Sequence, residues 1–301
     1  MRTRFRRHLI GFAGLAVTSL AAPGLAQTPA APKFEMTKVA DNVYSFSFVI
    51  FPPILHRNMV VVTNDGVIVT DPISPLAAGL MMDEIKKLTD KPVKLVIYSH
   101  NHWDHISGAR IFKDQGAKVL QHELAARSTR PHPNVVPADE IFAGEKHVVT
   151  LGDEIVELYY FGPTHGSGMV VMRLPKSRIL HTVDVVAPNR VVFANMPDWH
   201  PHSWIPALRK MEQLDFDRVI PGHGPASAPK SAVTGQREYL EDLGKAVAEG
   251  TKKAGSPYAI DKITEYVKED LRPKYGTWGQ FDSEWLKQNV DRITLDQRLG
   301  W

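Results

Sequence analysis

The spacing of apolar and polar residues between positions 41 and 70 predicts antiparallel β-structure. Val43–Ile50 (VYSFSFVI) has the length and the β-branched and aromatic composition of a strand. Asn58–Thr63 and Val67–Thr70 flank Asn64-Asp65-Gly66, which is a strong signal for a hairpin turn. Segment 51–56 (FPPILH) holds two consecutive prolines. Because proline cannot donate to a strand ladder, we expect this segment to interrupt the pairing and to bulge outward.

The period of the pattern changes after residue 72, where helices begin to alternate with strands. Leu76–Leu88 has helical spacing, and its expected core-facing residues are Leu76, Leu80, Ile85 and Leu88. Val93–Tyr98 (VKLVIY) follows as a buried strand. Further strands are predicted over 117–121, 154–161, 169–174, 178–184 and 218–220, and helices over 229–252, 260–271 and 282–295. Strands in two groups with helices between them predict an α/β (α+β) fold with two packed sheets covered by helices.

The densest group of chemically active residues begins where the strand Val93–Tyr98 should stop. Three histidines and one aspartate fall within six residues there, at His100, His102, Asp104 and His105. Imidazole and carboxylate are donors that zinc and similar divalent metals take. We expect this stretch to be a loop, because a loop can fold four donors around a small volume. The spacing predicts a metal site.

Three more donors each follow another predicted strand. His165 lies in the glycine-rich turn GPTHGSG, Asp184 closes the apolar run RILHTVD, and His223 lies in PGHG after the run RVI. Metal donors that are scattered through the sequence, but always placed after a strand, imply a sheet whose loops converge on one edge. The remaining histidines, including His56 and His181, fall outside this pattern. His181 is expected in the core or supporting a ligand, because it should face away from Asp184.

Taken together and in this order, HNHWDH, GPTHGSG, the strand-ending Asp184 and PGHG resemble the metallo-β-lactamase superfamily over roughly residues 40–230. The resemblance implies a four-layer αββα sandwich. It also implies that a first metal is bound by His100, His102 and His165, a second metal by Asp104, His105 and His223, and that Asp184 bridges both.

Such a site implies a dinuclear hydrolase with two zinc ions per chain. A water that bridges two zinc ions loses a proton near neutral pH and becomes a nucleophile, while the second metal polarises the substrate. Asp104 and Asp184 are the expected catalytic residues, because they lower the net charge of the site and fix the water. The sequence leaves the choice of metal open, with iron and manganese as alternatives to zinc.

The expected substrate is a small acyl compound, namely an ester, a lactone or a thioester. A true β-lactamase is the first alternative. By the resemblance, however, cysteine-dependent β-lactamases place a thiolate at the position of Asp184, and the cysteine-free subclass lacks a metal-binding aspartate there. This chain contains no cysteine. An iron-dependent oxidoreductase on the same fold is the second alternative. Neither a GxSxG nucleophile elbow nor a GxGxxG or P-loop motif occurs.

Residues 1–26 have the pattern of a secretory signal peptide. A basic start precedes the apolar run Leu9–Leu20, and small residues follow at 24–26. Arg6-Arg7 is similar to a twin-arginine signal, and the route of export stays open between that pathway and the general one. An uncleaved membrane anchor is the alternative, although the run is short for a span. Residues 27–39 are expected to be a linker, and 40–301 a metallo-β-lactamase-like domain with a helical extension from about 229.

The charge of the chain changes once the leader is set aside. The formal net charge is +3, but without the four arginines of residues 1–26 there are 32 basic residues against 33 acidic ones. The mature protein therefore has no global attraction to nucleic acid, which makes a nuclease an unfavourable interpretation. We expect a periplasmic or secreted protein that acts on a small-molecule substrate, without stable membrane insertion after leader removal. The sequence does not determine the oligomeric state.

Overall fold

The structure is a computed structural model that describes residues 33–52, 54–193 and 198–300. The described residues all belong to one compact unit, which covers residues 32–301. The predicted signal peptide of residues 1–26 therefore lies outside the described residues. Within the described ranges, no helix is long and apolar enough to cross a membrane.

The first half of the domain forms one sheet in which the strands follow chain order. Its strands are β1 Phe34–Ala40, β2 Val43–Phe51, β3 Ile54–Val62, β4 Val67–Thr70, β5 Val93–Tyr98, β6 Lys118–His122 and β7 Glu140–Phe142. Strands β1 to β4 pair antiparallel, and β4 to β7 pair parallel. The parallel half places the carboxyl ends of β4, β5 and β6 at one edge of the sheet.

The second sheet is built from the following six strands, again in chain order. They are β8 Lys146–Leu151, β9 Glu154–Tyr159, β10 Val171–Leu174, β11 Ile179–Val183, β12 Arg218–Pro221 and β13 Ala228–Pro229. Strands β11 and β12 pair parallel, whereas the other neighbours pair antiparallel. The carboxyl ends of β11 and β12 therefore lie side by side.

Helices cover the outer face of each sheet. They are α1 Pro75–Leu88, α2 Trp103–Ile106, α3 Arg110–Lys113, α4 Glu123–Ser128, α5 Pro201–Glu212, α6 Ser231–Ala254, α7 Ile260–Tyr275 and α8 Glu284–Leu299. Strand alternation explains the layers: in β3, Val60 packs towards α1, whereas Met59 and Val61 pack against the second sheet. Helices α5 to α8 share a separate core with the other face of β11 and β12. The predicted αββα sandwich is confirmed.

Two sequence-based boundaries are wrong. The linker predicted over 27–39 already contains strand β1 from Phe34, which pairs with β2 through Phe34 opposite Phe48. Segment 51–56 was expected to interrupt the pairing, but β2 and β3 continue until Phe51 lies opposite Ile54, with a register shift between Val49 and Phe51. Pro52 falls at the turn, where no ladder hydrogen bond is needed.

The buried face of α1 differs from the prediction in part, since Ile85 is buried and Leu80 packs against the core as expected, but Leu76 and Leu88 do not. Its buried residues are Ala77, Ala78, Met81, Met82 and Ile85. By contrast, Leu76 is 58% exposed and Leu88 is 39% exposed. A close approach explains the difference, since a Cβ added to Gly108 would lie only 2.9 Å from the Ala78 methyl group. Small alanines therefore face the sheet, and the terminal leucines lie at the rim.

Candidate metal centre

The HNHWDH motif is only partly the expected loop. Strand β5 ends at Tyr98, and the Ser99 N–H donates to Oδ1 of the buried Asp71 over 2.8 Å, which fixes the chain just before His100. The backbone then begins helix α2, so that Asp104 and His105 lie on a helical turn. This turn separates the motif into two pairs of donors that serve different halves of the site.

The position of Asp184 depends on a strained backbone at the end of β11. Val183 has φ of 46°, a left-handed conformation that is rare for a β-branched residue. The Gly222 N–H donates to the Val183 carbonyl over 2.7 Å, and a Cβ at Gly222 would lie 2.4 Å from Asp184 Oδ1. The first glycine of PGHG is therefore required for close packing against the Asp184 carboxylate.

The first donor group consists of His100, His102, His165 and Asp184. Nδ1 of His102 lies 2.8 Å from Nε2 of His165. Oδ2 of Asp184 lies 3.3 Å from Nε2 of His165 and 3.8 Å from Nε2 of His100. The structure thus brings together the three histidines that the sequence assigned to the first metal.

The second donor group consists of His56, Asp104, His105 and His223. Oδ2 of Asp104 lies 3.0 Å from Nε2 of His56 and 3.7 Å from Nε2 of His105. The three donors that the sequence assigned to the second metal are all present, and His56 joins them. All seven residues predicted as metal ligands therefore lie in one site.

Asp184 reaches both donor groups with different oxygen atoms. Its Oδ1 lies 3.2 Å from Nε2 of His223, and its Oδ2 lies 3.1 Å from Nε2 of His105. The same Oδ2 atom also faces His165 of the first group. A carboxylate in this position would be able to contact a metal ion in each donor group.

The donor atoms fit metal binding by distance and by their lack of other partners. With metal–ligand bonds of about 2.0 Å, two ligands of a tetrahedral zinc lie about 3.3 Å apart, close to the separations above. Several buried donor atoms that face the centre have no hydrogen-bond partner among the described residues: Nε2 of His100, Nε2 of His105 and Oδ1 of Asp184. Buried polar atoms without partners are costly, and metal ions would satisfy them. The residues present therefore fit a dinuclear centre.

Burial favours the neutral, metal-binding form of three of the donor histidines, whereas carboxylates, Asp184 first, outweigh burial at His105 and raise its pKa to about 10. Burial lowers the pKa of His56, lowers that of His100 well below its usual value, and lowers that of His165 to about 4. These imidazoles are neutral at pH 7, the form that ligates metals. Burial opposes ionisation of Asp184, but neighbouring imidazoles, His105 first, outweigh it and hold the pKa of Asp184 well below its usual range.

Sequence reasoning missed His56. This residue is 2% exposed in strand β3, and it forms a β-bridge with His223. The Arg57 N–H donates to the Gly222 carbonyl over 2.7 Å, and His223 Nδ1 donates to the Leu55 carbonyl over 3.0 Å. The strand therefore places His56 beside the PGHG loop. The signal that could have found His56 was the run Ile54–Val62 taken as one strand, since β3 begins at Ile54 directly after the prolines.

Asp198 is a second residue that the sequence did not reveal. Its Oδ2 accepts a hydrogen bond from Nε2 of His102 over 2.7 Å. In the sequence, Asp198 does not follow a predicted strand. Its distance along the chain from the other candidate ligands also matches no metal-binding motif. His181, in contrast, lies fully buried outside both donor groups, with its Nδ1 donating to the Ile220 carbonyl over 2.8 Å.

A cavity of about 340 Å³ opens over the centre. The donor residues form its base, and its walls include the apolar residues Ile54, Val186, Val192 and Phe193. A wider cavity of about 670 Å³ adjoins it on the side of His102 and Trp103. Space for a small organic molecule therefore lies directly beside the donor atoms.

An αββα sandwich with two groups of histidine and aspartate donors at one sheet edge defines a metal-dependent enzyme. Residues 53–223 match the family model described as the metallo-beta-lactamase superfamily. The chain belongs to this superfamily, and its predicted family membership is confirmed.

Curated relatives resemble parts of this chain. One is the 2,4-dinitroanisole O-demethylase subunit alpha of Nocardioides sp., 36% identical over 135 residues, which cover 44% of this chain and 41% of that protein. Another is the metallo-beta-lactamase type 2 of Bacillus sp., 28% identical over 154 residues, which cover 48% of this chain and 56% of that protein. The chain spans about half the length of the curated relatives it matches.

A solved structure supports the fold. The metallo-beta-lactamase from Pontibacter korlensis matches with a TM-score of 0.64 and 23% identity, over 69% of this chain and 99% of that one. At this identity the similarity defines the fold and not the substrate.

Proposed function

We propose that the protein is a dinuclear zinc hydrolase that acts on a small acyl substrate, namely an ester, a lactone or a thioester. One observation carries this proposal: Asp184 Oδ1 faces His223 while its Oδ2 faces His105 and His165. A carboxylate in this place can hold two metal ions at a short, fixed separation. When bound, two such ions supply Lewis acidity and lower the pKa of a coordinated water to near neutrality.

The residues of the chain would do the remaining work. His100, His102 and His165 would hold one ion, and His56, Asp104, His105 and His223 the other. The carboxylates of Asp104 and Asp184 would balance the positive charge of bound ions and would orient the nucleophilic water. The apolar walls of the cavity exclude bulk water and accept the acyl part of the substrate.

A β-lactamase is the second candidate function, because curated relatives carry that name. Asp184 argues against it, since the cysteine that the resemblance places there in many β-lactamases is absent from the whole chain. A third candidate follows from the relative named as an O-demethylase. Loss of a methyl group from an ether can proceed with water or by oxidation, so the bound metal and the products separate an iron-dependent oxidoreductase from a hydrolase.

The test is a substrate panel with metal analysis. The zinc-loaded protein is assayed with a 4-nitrophenyl ester, a γ-lactone, a thioester, a cephalosporin, a carbapenem and an aryl methyl ether. We expect about two metal ions per chain, and kcat/KM at least tenfold higher for an acyl substrate than for either β-lactam. Chelator-treated protein and His102→Ala are the inactive controls. If a β-lactam is preferred by tenfold or more, the protein is the second candidate, a β-lactamase. If the protein binds iron and releases formaldehyde from the ether, it is the third candidate, an oxidoreductase.

We further propose that the protein acts in the periplasm or as a secreted enzyme. The leader pattern of residues 1–26 and the absence of cysteine support export.

A further inference from the structure

Arg190 lies in the wall of the 340 Å³ cavity above the metal donors. Among the described residues that line this cavity, it is the only lysine or arginine. Arginine has five N–H donors in a planar fork and stays charged under all physiological conditions. The cavity is also lined by Asp104, Asp184 and Asp198, so the partner of this cationic fork has to be identified.

No carboxylate neutralises Arg190 within the described ranges of the chain. None lies within 4.0 Å of its guanidinium, and the side chain makes no hydrogen bond to a described residue. The carboxylate of Asp184 is the charged group that interacts electrostatically with the Arg190 guanidinium, but this carboxylate already faces His105 and His223. Bound metal ions would neutralise the charge of Asp184. Arg190 would then have no counter-ion.

Packing holds the Arg190 side chain in place. Its carbon chain lies against Gly279, and its guanidinium carbon lies 5.4 Å from the centroid of the Trp285 ring. Backbone hydrogen bonds from Val191 N–H to Gly279 O (3.1 Å) and from Gly279 N–H to Asn189 O (2.9 Å) fix this segment to the C-terminal region. Since the guanidinium makes no hydrogen bond or ion pair to a described residue, its N–H groups remain available to a ligand.

Gln236 of helix α6 provides a second hydrogen-bond donor without a partner among the described residues of the same cavity. The residue is 1% exposed, and its Oε1 accepts the Ala187 N–H over 3.0 Å. This bond assigns the other end of the amide, Nε2, which has no hydrogen-bond partner among the described residues. A buried amide N–H₂ without an acceptor is costly and indicates a missing ligand. The turn from Ala187 to Arg190, closed by Arg190 N–H to Ala187 O, joins the two donors.

We propose that Arg190 and Gln236 form an anion-binding subsite, and that the substrate carries a carboxylate, sulfonate or sulfate group on an apolar body. The anionic group is hydrogen-bonded by the guanidinium and the amide. The apolar body packs on Ile54, Val192 and Phe193. The reacting bond lies at the metal donors, and this last step alone rests on the proposed hydrolytic function.

Binding of hexanesulfonate to the zinc-loaded protein tests the subsite, because sulfonates are weak metal ligands. Isothermal titration calorimetry at constant ionic strength should show binding to the wild type. Arg190→Met should weaken it at least tenfold, Gln236→Leu severalfold, and Arg190→Lys less than Arg190→Met. The matched control is Arg209→Met, because Arg209 is an exposed arginine paired with Glu241 outside the cavity. It should bind as the wild type does.

Two results would overturn the subsite: no hexanesulfonate binding by the wild type, or equal affinity in Arg190→Met. Melting temperature and zinc content verify each variant, and Arg190→Gln replaces Arg190→Met if the latter does not fold.

An ester pair separates this inference from the proposed function. Mono-4-nitrophenyl glutarate is anionic and 4-nitrophenyl pentanoate is neutral, with acyl groups of equal length. The ratio of their kcat/KM values should fall at least tenfold in Arg190→Met, mainly through KM of the anionic ester. If neither ester is hydrolysed, and the lactone and thioester of the substrate panel are not hydrolysed either, the hydrolase proposal fails while the binding result stands. If both are hydrolysed and the ratio is unchanged, the subsite is wrong and the hydrolase stands.

Discussion

Oδ2 of Asp198 accepts a hydrogen bond from Nε2 of His102 over 2.7 Å, while Nδ1 of the same ring faces His165 over 2.8 Å. Because the proton is held on Nε2, the lone pair of Nδ1 is free for a metal ion. Burial opposes protonation of His102, but Asp198 outweighs it and raises the pKa of the ring. Asp198 is therefore a positioning residue for His102, in a carboxylate–histidine arrangement that commonly supports metal ligands.

Replacing Asp198 should weaken metal binding without removing a ligand. We expect Asp198→Ala to lower the affinity for one of the two ions by about 10- to 100-fold, and Asp198→Asn less, because its amide oxygen can still accept the His102 proton. Competition with a chromophoric chelator measures the affinity. Asp90→Asn, at an exposed position outside the cavities, is the control. Wild-type affinity in both Asp198 variants would show that the contact has no role in metal binding.

His56 should contribute to the second donor group. His56→Ala should lower the affinity of one of the two bound ions at least tenfold, because Asp104 loses a neighbouring donor at 3.0 Å. The visible absorption of the cobalt-substituted protein should change at the same time. His147→Ala is the matched control, since His147 stacks on Phe142 away from the donors. If the cobalt spectrum is unchanged, His56 is not a metal ligand and its role is limited to its contact with Asp104.

Asp184 should be essential for the paired site. Asp184→Asn and Asp184→Ser remove the charge that faces both groups, so we expect occupancy of the second ion to fall and acyl-substrate turnover to drop by about 100-fold or more. Metal content by mass spectrometry and steady-state kinetics measure both effects. Asp184→Ser should not create efficient β-lactam hydrolysis, because cavity shape also selects the substrate. Two tightly bound ions in both variants would contradict a bridging role.

Gly222 should not tolerate a side chain. Its added Cβ would lie 2.4 Å from Asp184 Oδ1 and 3.0 Å from the Val183 carbonyl carbon. We expect Gly222→Ala to cost about 1–3 kcal/mol of unfolding free energy and to lower metal affinity. Gly244→Ala, in helix α6 with nothing within 4 Å of the new methyl group, should instead stabilise the protein by about 0.5–1 kcal/mol. Equal stability of both variants in urea unfolding would refute the packing argument.

The leader prediction is tested in the producing cell. We expect the exported protein to begin near Gln27, because the small residues at 24–26 have the pattern of a cleavage site. N-terminal sequencing of the extracytoplasmic fraction measures this. An intact residue 1 in the membrane fraction would support the alternative of an uncleaved anchor.

The local pattern was enough to locate most of the donors. His100, His102, Asp104 and His105 are close in sequence and follow an apolar strand, and the structure places them at the end of β5. Metal chemistry restricts the ligands to a few residue types, and strand ends are visible as changes of hydrophobic period. The αββα class was predictable for the same reason, since it follows from the order of strands and helices.

Residues that act across the fold could not be found in this way. His56 reaches the site through the register of β3 beside the PGHG loop, and Asp198 through the packing of its segment against His165, where the Gly166 N–H donates to the Asp198 carbonyl over 3.1 Å. Arg190 and Gln236 meet in one cavity although 46 positions separate them in the printed sequence. Sequence spacing reports neighbours along the chain, whereas these contacts depend on which strand faces and helix turns pack together, and that is set by the free energy of the whole folded core.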